Sequence, residues 1–205
     1  MIPLAIAQVH QTIPSKTGKL EGIPSTNTST LNNDFCIKMR KTESVCKKCY
    51  AATLEKQYTS LHKAVTRNDT FLGTRILADY EIPRMTTLYH RFSSVGELIN
   101  VEYHLHNLVL ITLANPQTTF ALWTKRKDFI RKYFKNVAIP ANLILVYSSA
   151  IIGKIEKLPA LFHKVFTAHD KKAIENINVN CHGKCKDCLL CYTFNDTKFI
   201  NEVLK

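Results

Sequence analysis

The residues of this sequence that could carry out chemistry are its seven cysteines, which fall into two groups far apart in the chain. The front cysteines are Cys36, Cys46 and Cys49, and the terminal cysteines are Cys181, Cys185, Cys188 and Cys191. An odd number of cysteines in a chain without a secretory signal argues against a disulfide framework and favours thiolate ligands or free thiols. Closely spaced thiolates on polar turns are the donors that zinc and iron–sulfur clusters take from proteins. Both groups therefore predict metal sites.

The terminal cysteines are densely spaced, with three, two and two residues between successive members. Zinc sites usually combine two close pairs that lie a dozen or more residues apart, whereas a [4Fe–4S] cluster accepts neighbouring ligands from one loop. The spacing resembles a bacterial ferredoxin run in reverse order and favours a [4Fe–4S] cluster. Zinc and uncoordinated thiols are the alternatives. Spacing also leaves open whether the chain holds one cluster or two, because one group can complete the cluster of the other.

The charge of the chain favours an acidic partner, and nucleic acid is the first to consider. Lys and Arg total 28 against 16 Asp and Glu, for a formal net charge of +12. The densest basic segment contains Lys125, Arg126, Lys127, Arg131, Lys132 and Lys135. On a helix that begins near Arg126, the residues 127, 131 and 135 would form one stripe able to follow a phosphate backbone. An inert solvated helix face is the alternative, and no base-reading motif indicates sequence specificity.

The middle of the chain alternates between two hydrophobic periodicities. Helical spacing predicts helices at 50–66, 68–79, 97–114, 127–134 and 151–158, and short apolar runs predict strands at 87–92, 118–123, 143–147 and 164–167. Strands that alternate with helices pair in parallel through right-handed crossovers. We therefore expect an α/β fold, either open or a partial (β/α) barrel, with cysteine-rich ends. We expect one domain over 1–205, with an extended segment 1–49, a core 50–170 and a C-terminal segment 171–205.

Polar residues follow each predicted strand, and parallel strands bring such residues to one edge of the sheet, where α/β proteins place function. They are Ser93, Ser94, Gly96, Glu97, Thr124, Lys125, Ser148, Ser149, His169 and Asp170. Taken singly, each is more typical of an ordinary loop or helix cap. Ser94 and Glu97 have the spacing of a capping box. His169 followed by Asp170 favours a turn over a catalytic pair.

Several short motifs occur in an order that resembles the phage family called gene product 88. They are Gly18-Lys-Leu-Glu-Gly-Ile-Pro-Ser25, Phe35-Cys36, Cys46-Lys-Lys-Cys49-Tyr50, Arg91-Phe-Ser-Ser-Val-Gly-Glu97-Leu98, Ala121-Leu-Trp-Thr-Lys125, Lys164-Val-Phe-Thr167 and the terminal cysteine run. The resemblance covers roughly residues 16 to 192. It implies a phage or another mobile element as the context, and it implies no particular reaction.

The same residues are distantly similar to radical S-adenosylmethionine enzymes. This similarity implies that the front cysteines hold a cluster with one open iron, that Gly96 and Glu97 form a cofactor-binding segment, and that the terminal cysteines hold an auxiliary cluster. The front cysteines are separated by nine and two residues, where those enzymes have three and two. Val95 precedes Gly96, where those enzymes have a second glycine.

The chain lacks the marks of a membrane or secreted protein. Its apolar stretches are far shorter than the roughly 20 residues of a spanning helix, and residues 1–8 carry no basic residue or cleavage site of a secretory signal. We expect a host-cytoplasmic iron–sulfur protein of a phage or mobile element that acts on or near nucleic acid. The alternatives are a radical S-adenosylmethionine enzyme and a non-catalytic binding protein with structural zinc. The sequence identifies no protein partner.

Overall fold

A computed structural model describes residues 9–12, 17–175 and 177–204 of the chain. Residues 1–8, on which the expectation about a secretory signal rests, lie outside the described residues. In the described part, no helix combines the length and the apolar character that crossing a bilayer requires.

One mostly parallel sheet organises the fold. Its strands are β1 (Gln11–Thr12), β2 (Ser25–Thr26), β3 (Tyr89–Phe92), β4 (Thr119–Thr124), β5 (Leu143–Ser148), β6 (Lys164–His169) and β7 (Phe199–Val203). The strands lie in the order of the sequence, with β2 to β7 parallel and β1 antiparallel to β2. The α/β prediction is confirmed, and the sheet is not closed into a barrel. The sheet also extends beyond the predicted core, because β1 and β2 come from segment 1–49 and β7 from segment 171–205.

Helices occupy much of the chain between the strands. They are α1 (Asp34–Met39), α2 (Tyr50–Gln57), α3 (Thr59–Gly73), α4 (His106–Leu113), α5 (Lys127–Tyr133) and α6 (Cys185–Cys188), with a π-helical turn at Val101–Leu105 and 3₁₀ turns at Asp79–Glu81 and Lys171–Ala173. The four predicted strands are confirmed within a few residues. The predicted helix at 50–66 is interrupted at Tyr58, whose backbone is extended.

Three helix predictions need correction. The predicted helix at 68–79 stops at Gly73, where α3 ends. The helix at 97–114 begins only at Val101, because Asn100 caps it by accepting hydrogen bonds from two backbone amides. Residues 151–158 form a turn and irregular chain instead of a helix. Apolar spacing alone did not locate these boundaries, and the start at Val101 is set by the polar cap Asn100.

The sheet has two unlike faces. Because neighbouring parallel strands follow one another in sequence, right-handed crossovers place their helices on the same side. Alternation along β4 sends Phe120 and Leu122 to that side, the helix face, and Ala121 and Trp123 to the opposite side, the cysteine face.

The helix face has a large apolar core. Strand residues pack there against α3, the π-helical turn, α4 and α5. Its fully buried members include Leu72, Phe92, Leu98, Leu105, Ile111, Phe120, Leu122, Ile130, Leu145 and Val165. This side of the molecule is a conventional helix-on-sheet layer.

The cysteine face is covered mainly by irregular chain. Its buried cluster is Ile23, Ala121, Trp123, Ile144, Val146, Phe166, Ala168, Cys181, Cys185, Cys191, Tyr192 and Ile200. The covering segments are 17–23 and 181–192, which contact each other where the Cys185 amide donates a hydrogen bond to the Lys19 carbonyl at 3.0 Å. Within them the short α6 is the only described helix.

Candidate functional site

A cavity of about 380 Å³ lies at the carboxyl ends of the parallel strands, and we call it the carboxyl-end cavity. Its wall includes all three front cysteines. It also includes most of the polar residues that follow the strands, namely Ser93, Ser94, Gly96, Glu97, Thr124, Lys125, Ser148 and Ser149. The topology thus brings together residues that are more than 100 positions apart in the sequence.

His169 and Asp170 do not belong to the cavity wall. The Nε2 atom of His169 lies 2.9 Å from Asn201 Oδ1 on β7, and the residue is fully buried. The Asp170 side chain accepts a hydrogen bond from the Lys172 amide and caps a 3₁₀ turn. The two residues therefore form a strand end and a turn.

Among the front cysteines, Cys36 lies on α1, and Cys46 and Cys49 lie on the turn segment that leads to α2. Two strand ends hold this region in place. The Val45 amide donates to the Ala150 carbonyl beyond β5 at 2.8 Å, and the Tyr50 hydroxyl donates to the Ser94 carbonyl beyond β3 at 3.3 Å. Burial, together with the nearby Glu97 carboxylate and the other two front thiols, raises the pKa of Cys36 to about 12. Burial also raises the pKa of Cys46, against the charge of Lys125.

Gly96 is required by the geometry of the cavity wall. Its φ of +82° is left-handed, and a Cβ atom at this position would lie 2.2 Å from the Thr28 carbonyl oxygen. Any other residue would therefore displace segment 26–30, the part of the chain that leads from β2 toward the front cysteines. Ser93, two residues beyond Arg91 on the same strand end, also has a left-handed φ, of 60°.

Glu97 joins two strand ends from a buried position. Its Oε1 atom accepts hydrogen bonds from the Thr124 hydroxyl at 2.5 Å and from the Leu98 amide at 2.8 Å, and its Oε2 atom accepts from the Lys125 amide at 2.7 Å. Burial raises its pKa, while Lys125 and these donors oppose the rise. The capping-box interpretation of Ser94 and Glu97 is therefore wrong, because Ser94 donates instead to Asn27 and Ser25.

Arg91 and Trp123 form the floor between the two groups of cysteines. The Arg91 guanidinium carbon lies 3.9 Å from the centroid of the Trp123 ring, and Trp123 packs on Phe166 with centroids 4.5 Å apart. All three side chains line the cavity. Arg91 is only 8% exposed, and its Nε has no hydrogen-bond partner among the described residues.

The terminal cysteines lie against the cysteine face, outside the wall of the cavity. The Cys181 amide donates to the Asn201 carbonyl of β7 at 3.0 Å, and α6 carries Cys185 and Cys188. Burial raises the pKa of Cys191 to about 12, and the charge of Arg91 acts in the opposite direction. The terminal thiols are close enough to raise one another's pKa.

Neither group is already shaped as a metal site. Within the described ranges, no three His, Cys, Asp or Glu side chains are arranged to hold an ion. The donor chemistry nevertheless fits, because each group collects several thiols and a cation lies near each, the partly exposed Lys125 near the front group and the buried Arg91 near the terminal one. Deprotonation of thiols with raised pKa values would make metal binding strongly dependent on pH.

The densest basic segment, residues 125–135, is interrupted and partly neutralised. Helix α5 ends at Tyr133, so Lys135 lies beyond it, and Lys125 belongs to the cavity, where it donates to Ser148 at 2.9 Å. Three cations of this segment form ion pairs: Arg126 with Asp128, Lys127 with Glu156 and Lys132 with Glu102. Among the described residues, no ion pair includes Arg131 or Lys135.

Comparison with known proteins places the chain in a family. The family model for gene product 88 matches residues 7–193. The chain belongs to the gene product 88 family. No curated protein and no solved structure matches it. The predicted phage context is therefore supported for this gene product 88 protein, whereas similarity to radical S-adenosylmethionine enzymes is not shown.

Sequence reasoning did not select Arg91 or Trp123 as site residues. Both lie within strands, and a strand in a parallel sheet is normally buried on both faces. Residues inside such strands are therefore expected to belong to the core. The signal that could have identified Arg91 is its charge inside the buried strand Tyr89–Phe92.

Proposed function

We propose that this gene product 88 protein is an iron–sulfur protein that works in the cytoplasm of the host cell. The front cysteines hold a [4Fe–4S] cluster beside the carboxyl-end cavity, and the terminal cysteines hold a second one. The observation that carries the proposal is the position of three thiols, one from α1 and two from the turn segment before α2, in the wall of a cavity at the carboxyl ends of parallel strands. Open α/β sheets bind their ligands in this place.

The front site has the features of a reactive centre. Three thiolates leave one iron of a four-iron cluster without a protein ligand, so the cluster would supply electrons and an open coordination position at the cavity. Lys125 lies beside both Cys46 and Glu97, and its positive charge favours the anionic thiolate form of Cys46. Trp123 and Phe166 contribute apolar surface to the lining of the cavity.

The terminal site has the features of a fully ligated centre. Four thiols are available, three of them buried among apolar side chains of the cysteine face. The segment 181–192 contains one short helix, so ligation would contribute much of the free energy that keeps it in place. Arg91 supplies a positive charge near Cys185 and Cys191, which favours an anionic thiolate centre.

A second candidate function is binding of S-adenosylmethionine at the open iron. The observation that favours it is that Gly96 and Glu97 share the cavity wall with the front cysteines. The carboxylate of Glu97 already accepts three hydrogen bonds, so it would have to exchange one of them to hold a cofactor's ammonium. Structural zinc without catalysis is the third candidate.

Action on nucleic acid is the part of the proposal that rests on charge. The net charge of +12 supports it, together with Arg131 and Lys135, which project from the α5 region without a described ion-pair partner. The ion pairs of Arg126, Lys127 and Lys132 reduce the number of free cations.

The test uses two matched variants, Cys46→Ser and Cys185→Ser, purified anaerobically with the unmodified chain. Each variant should lose about half of the iron and keep the electron paramagnetic signal of the other cluster. If either substitution removes all of the iron, the two groups share one centre. If the variants lose zinc and contain no iron, the iron–sulfur proposal is wrong and the structural zinc candidate is correct.

The same samples separate the candidate activities. S-adenosylmethionine should perturb the spectrum of the reduced chain and of Cys185→Ser, and it should have no effect on Cys46→Ser. Glu97→Gln should keep both clusters and bind the cofactor less well. An unperturbed spectrum in every sample would exclude the S-adenosylmethionine candidate.

A further inference from the structure

The carboxyl-end cavity has a surplus of positive charge. Five cations and two carboxylates line it: Lys19, Arg40, Lys48, Arg91 and Lys125, against Glu97 and Glu202. Both carboxylates are already engaged. Glu202 pairs with Lys19 at 2.5 Å, and Glu97 accepts hydrogen bonds from Thr124, Leu98 and Lys125.

Arg91 is the cation that most needs a partner. The side chain is more than nine-tenths buried, its Nε lacks a hydrogen-bond partner in the described part of the chain, and none of the ion pairs found there includes it. Its contact with the Trp123 ring compensates only part of the lost hydration. The terminal thiols near Arg91 carry no charge until they are ligated, and no described carboxylate pairs with it. A buried guanidinium without a paired carboxylate is costly, so its presence in the cavity wall favours an anionic ligand there.

Lys125 shares this cavity with Arg91. Its Nζ donates to Ser148 at 2.9 Å, which holds the ammonium near the end of β5. Arg91 comes from β3, the neighbour of β4 on its other side. A ligand in the cavity would therefore meet a planar, bidentate donor from one strand and a point charge from another. Guanidinium groups suit carboxylates and phosphates in this way.

We propose that the carboxyl-end cavity binds a small molecule bearing a phosphate or carboxylate, with its anionic group between Arg91 and Lys125. A volume of about 380 Å³ suits a ligand of the size of a mononucleotide or a tricarboxylic acid. The inference deepens the proposed function, since it names the ligand class of the same cavity. It rests on Arg91 and Lys125, however, and not on the cysteines.

The test is calorimetric titration of the anaerobically purified full chain with orthophosphate, AMP and citrate, each against NaCl of equal ionic strength. Trp123 is the single tryptophan of the chain and lines the cavity, so its fluorescence gives a second readout. We expect saturable binding of at least one probe and none of chloride. Binding of AMP without citrate assigns a phosphate ester, and the reverse assigns a carboxylate. Failure of all three probes to bind would overturn the proposal.

Variants locate the site. Arg91→Met keeps most of the side-chain volume and should weaken binding by about tenfold to a hundredfold, because hydrogen bonds to charged groups are lost. The control Lys63→Met, on an exposed position of α3, should bind as the unmodified chain does. Equal binding by Arg91→Met would overturn the proposal. If Arg91→Met does not fold, Lys125→Met provides the same comparison from the other side of the cavity, with binding weakened about tenfold.

Iron analysis of every sample keeps the two proposals separate. Anion binding by a chain that holds no iron would leave this inference standing and overturn the proposed function. A chain with iron that binds none of the three probes would retain the proposed function and overturn this inference.

Discussion

The two faces of the sheet are held together by different means. On the helix face, the π-helical turn and helices α3, α4 and α5 bury a continuous apolar core against the strands. On the cysteine face, segments 17–23 and 181–192 cover the same strands with little regular structure, and three of the four terminal cysteines belong to the buried cluster. The comparison shows that one side of the sheet is covered by regular helices and the other by irregular chain, which on the proposed function would be fixed by thiolate ligation.

The difference in how the two faces are covered follows from the topology of the sheet. Sequential parallel strands direct their helices to one face, so the other face must be covered by the ends of the chain and by long connections. Irregular segments bury less apolar surface per residue than helices do, and their backbone polar groups need separate partners. Thiolate ligation is a physical means of fixing such segments, because binding free energy becomes folding free energy.

Metal removal should separate the two faces most strongly. An anaerobic chelator should abolish hydrogen-exchange protection in 17–23 and 181–192, while protection in α4 and β4 changes little. We expect a local loss of roughly 5 kcal/mol or more, since structural metal ligation contributes on the order of 10 kcal/mol. Hydrogen exchange followed by mass spectrometry measures both regions in one sample. Equal loss of protection on both faces would show that they form one cooperative unit.

A matched pair of core truncations in β5 compares the faces directly. Leu145 faces the helices and Ile144 faces the terminal cysteines, and both are fully buried. Leu145→Ala should cost about 2–5 kcal/mol with or without metal. Ile144→Ala should cost a similar amount in the metal-loaded protein and clearly less after metal removal, because its covering segment is then released. Denaturant unfolding of both variants, with and without metal, measures these changes in the free energy of unfolding. If Ile144→Ala costs the same with and without metal, the cysteine face does not depend on metal.

Gly96→Ala should damage the front of the cavity. The left-handed φ and the clash with the Thr28 carbonyl together should cost more than about 2 kcal/mol. Gly153 also has a positive φ, but a Cβ atom there meets no other atom within 4 Å. Gly153→Ala is therefore the control that measures the cost of the left-handed φ without a clash. Thermal unfolding of both variants gives the measurement. Equal destabilisation would remove the argument that Gly96 is needed for close packing.

Acid should destabilise the protein through two buried histidines. Burial lowers the pKa of His90 and of His104 to about 3, below the ordinary value near 6.5. Between these values the unfolded chain binds a proton that the folded chain does not, so stability falls as the pH drops below about 6.5. The slope is up to about 1.4 kcal/mol per pH unit for each histidine.

The variant His104→Asn tests this pH dependence. An asparagine oxygen can replace the Nδ1 atom that accepts a hydrogen bond from the Ile99 amide at 3.0 Å. Urea unfolding between pH 4.5 and 7 should therefore show a shallower slope, smaller by about one proton. An unchanged slope would mean that His104 titrates normally in the folded chain.

The smallest expected effect concerns nucleic acid. Replacing Arg131 and Lys135 with Ala should lower the salt slope of nucleic-acid binding by about 0.7–0.9 for each lost phosphate contact. The paired cation Lys132 gives the control variant Lys132→Ala, for which we expect a smaller change because Glu102 already neutralises it. The salt slope is obtained from nucleic-acid binding measured over a series of salt concentrations. An unchanged slope for the double variant would assign α5 to an inert surface.

The sequence predicted the regular part of the molecule well, because buried strands and amphipathic helices leave periodic patterns. It also indicated which strand ends converge, since parallel strands end at one edge. It did not reveal that Glu97 joins β3 to β4 or that Arg91 is buried without a carboxylate. Those properties depend on contacts between distant parts of the chain. The two-residue strands β1 and β2 are too short to show any period.

The central claim is that thiolate-bound iron holds the cysteine face, and elemental analysis of the unmodified chain tests it most directly. Protein purified without oxygen should contain iron and acid-labile sulfide in equal amounts, about eight of each per chain if both groups hold a cubane, and little zinc. Stoichiometric zinc without sulfide would contradict the iron–sulfur account, and a chain free of all three would show that the cysteine face is stable without any metal.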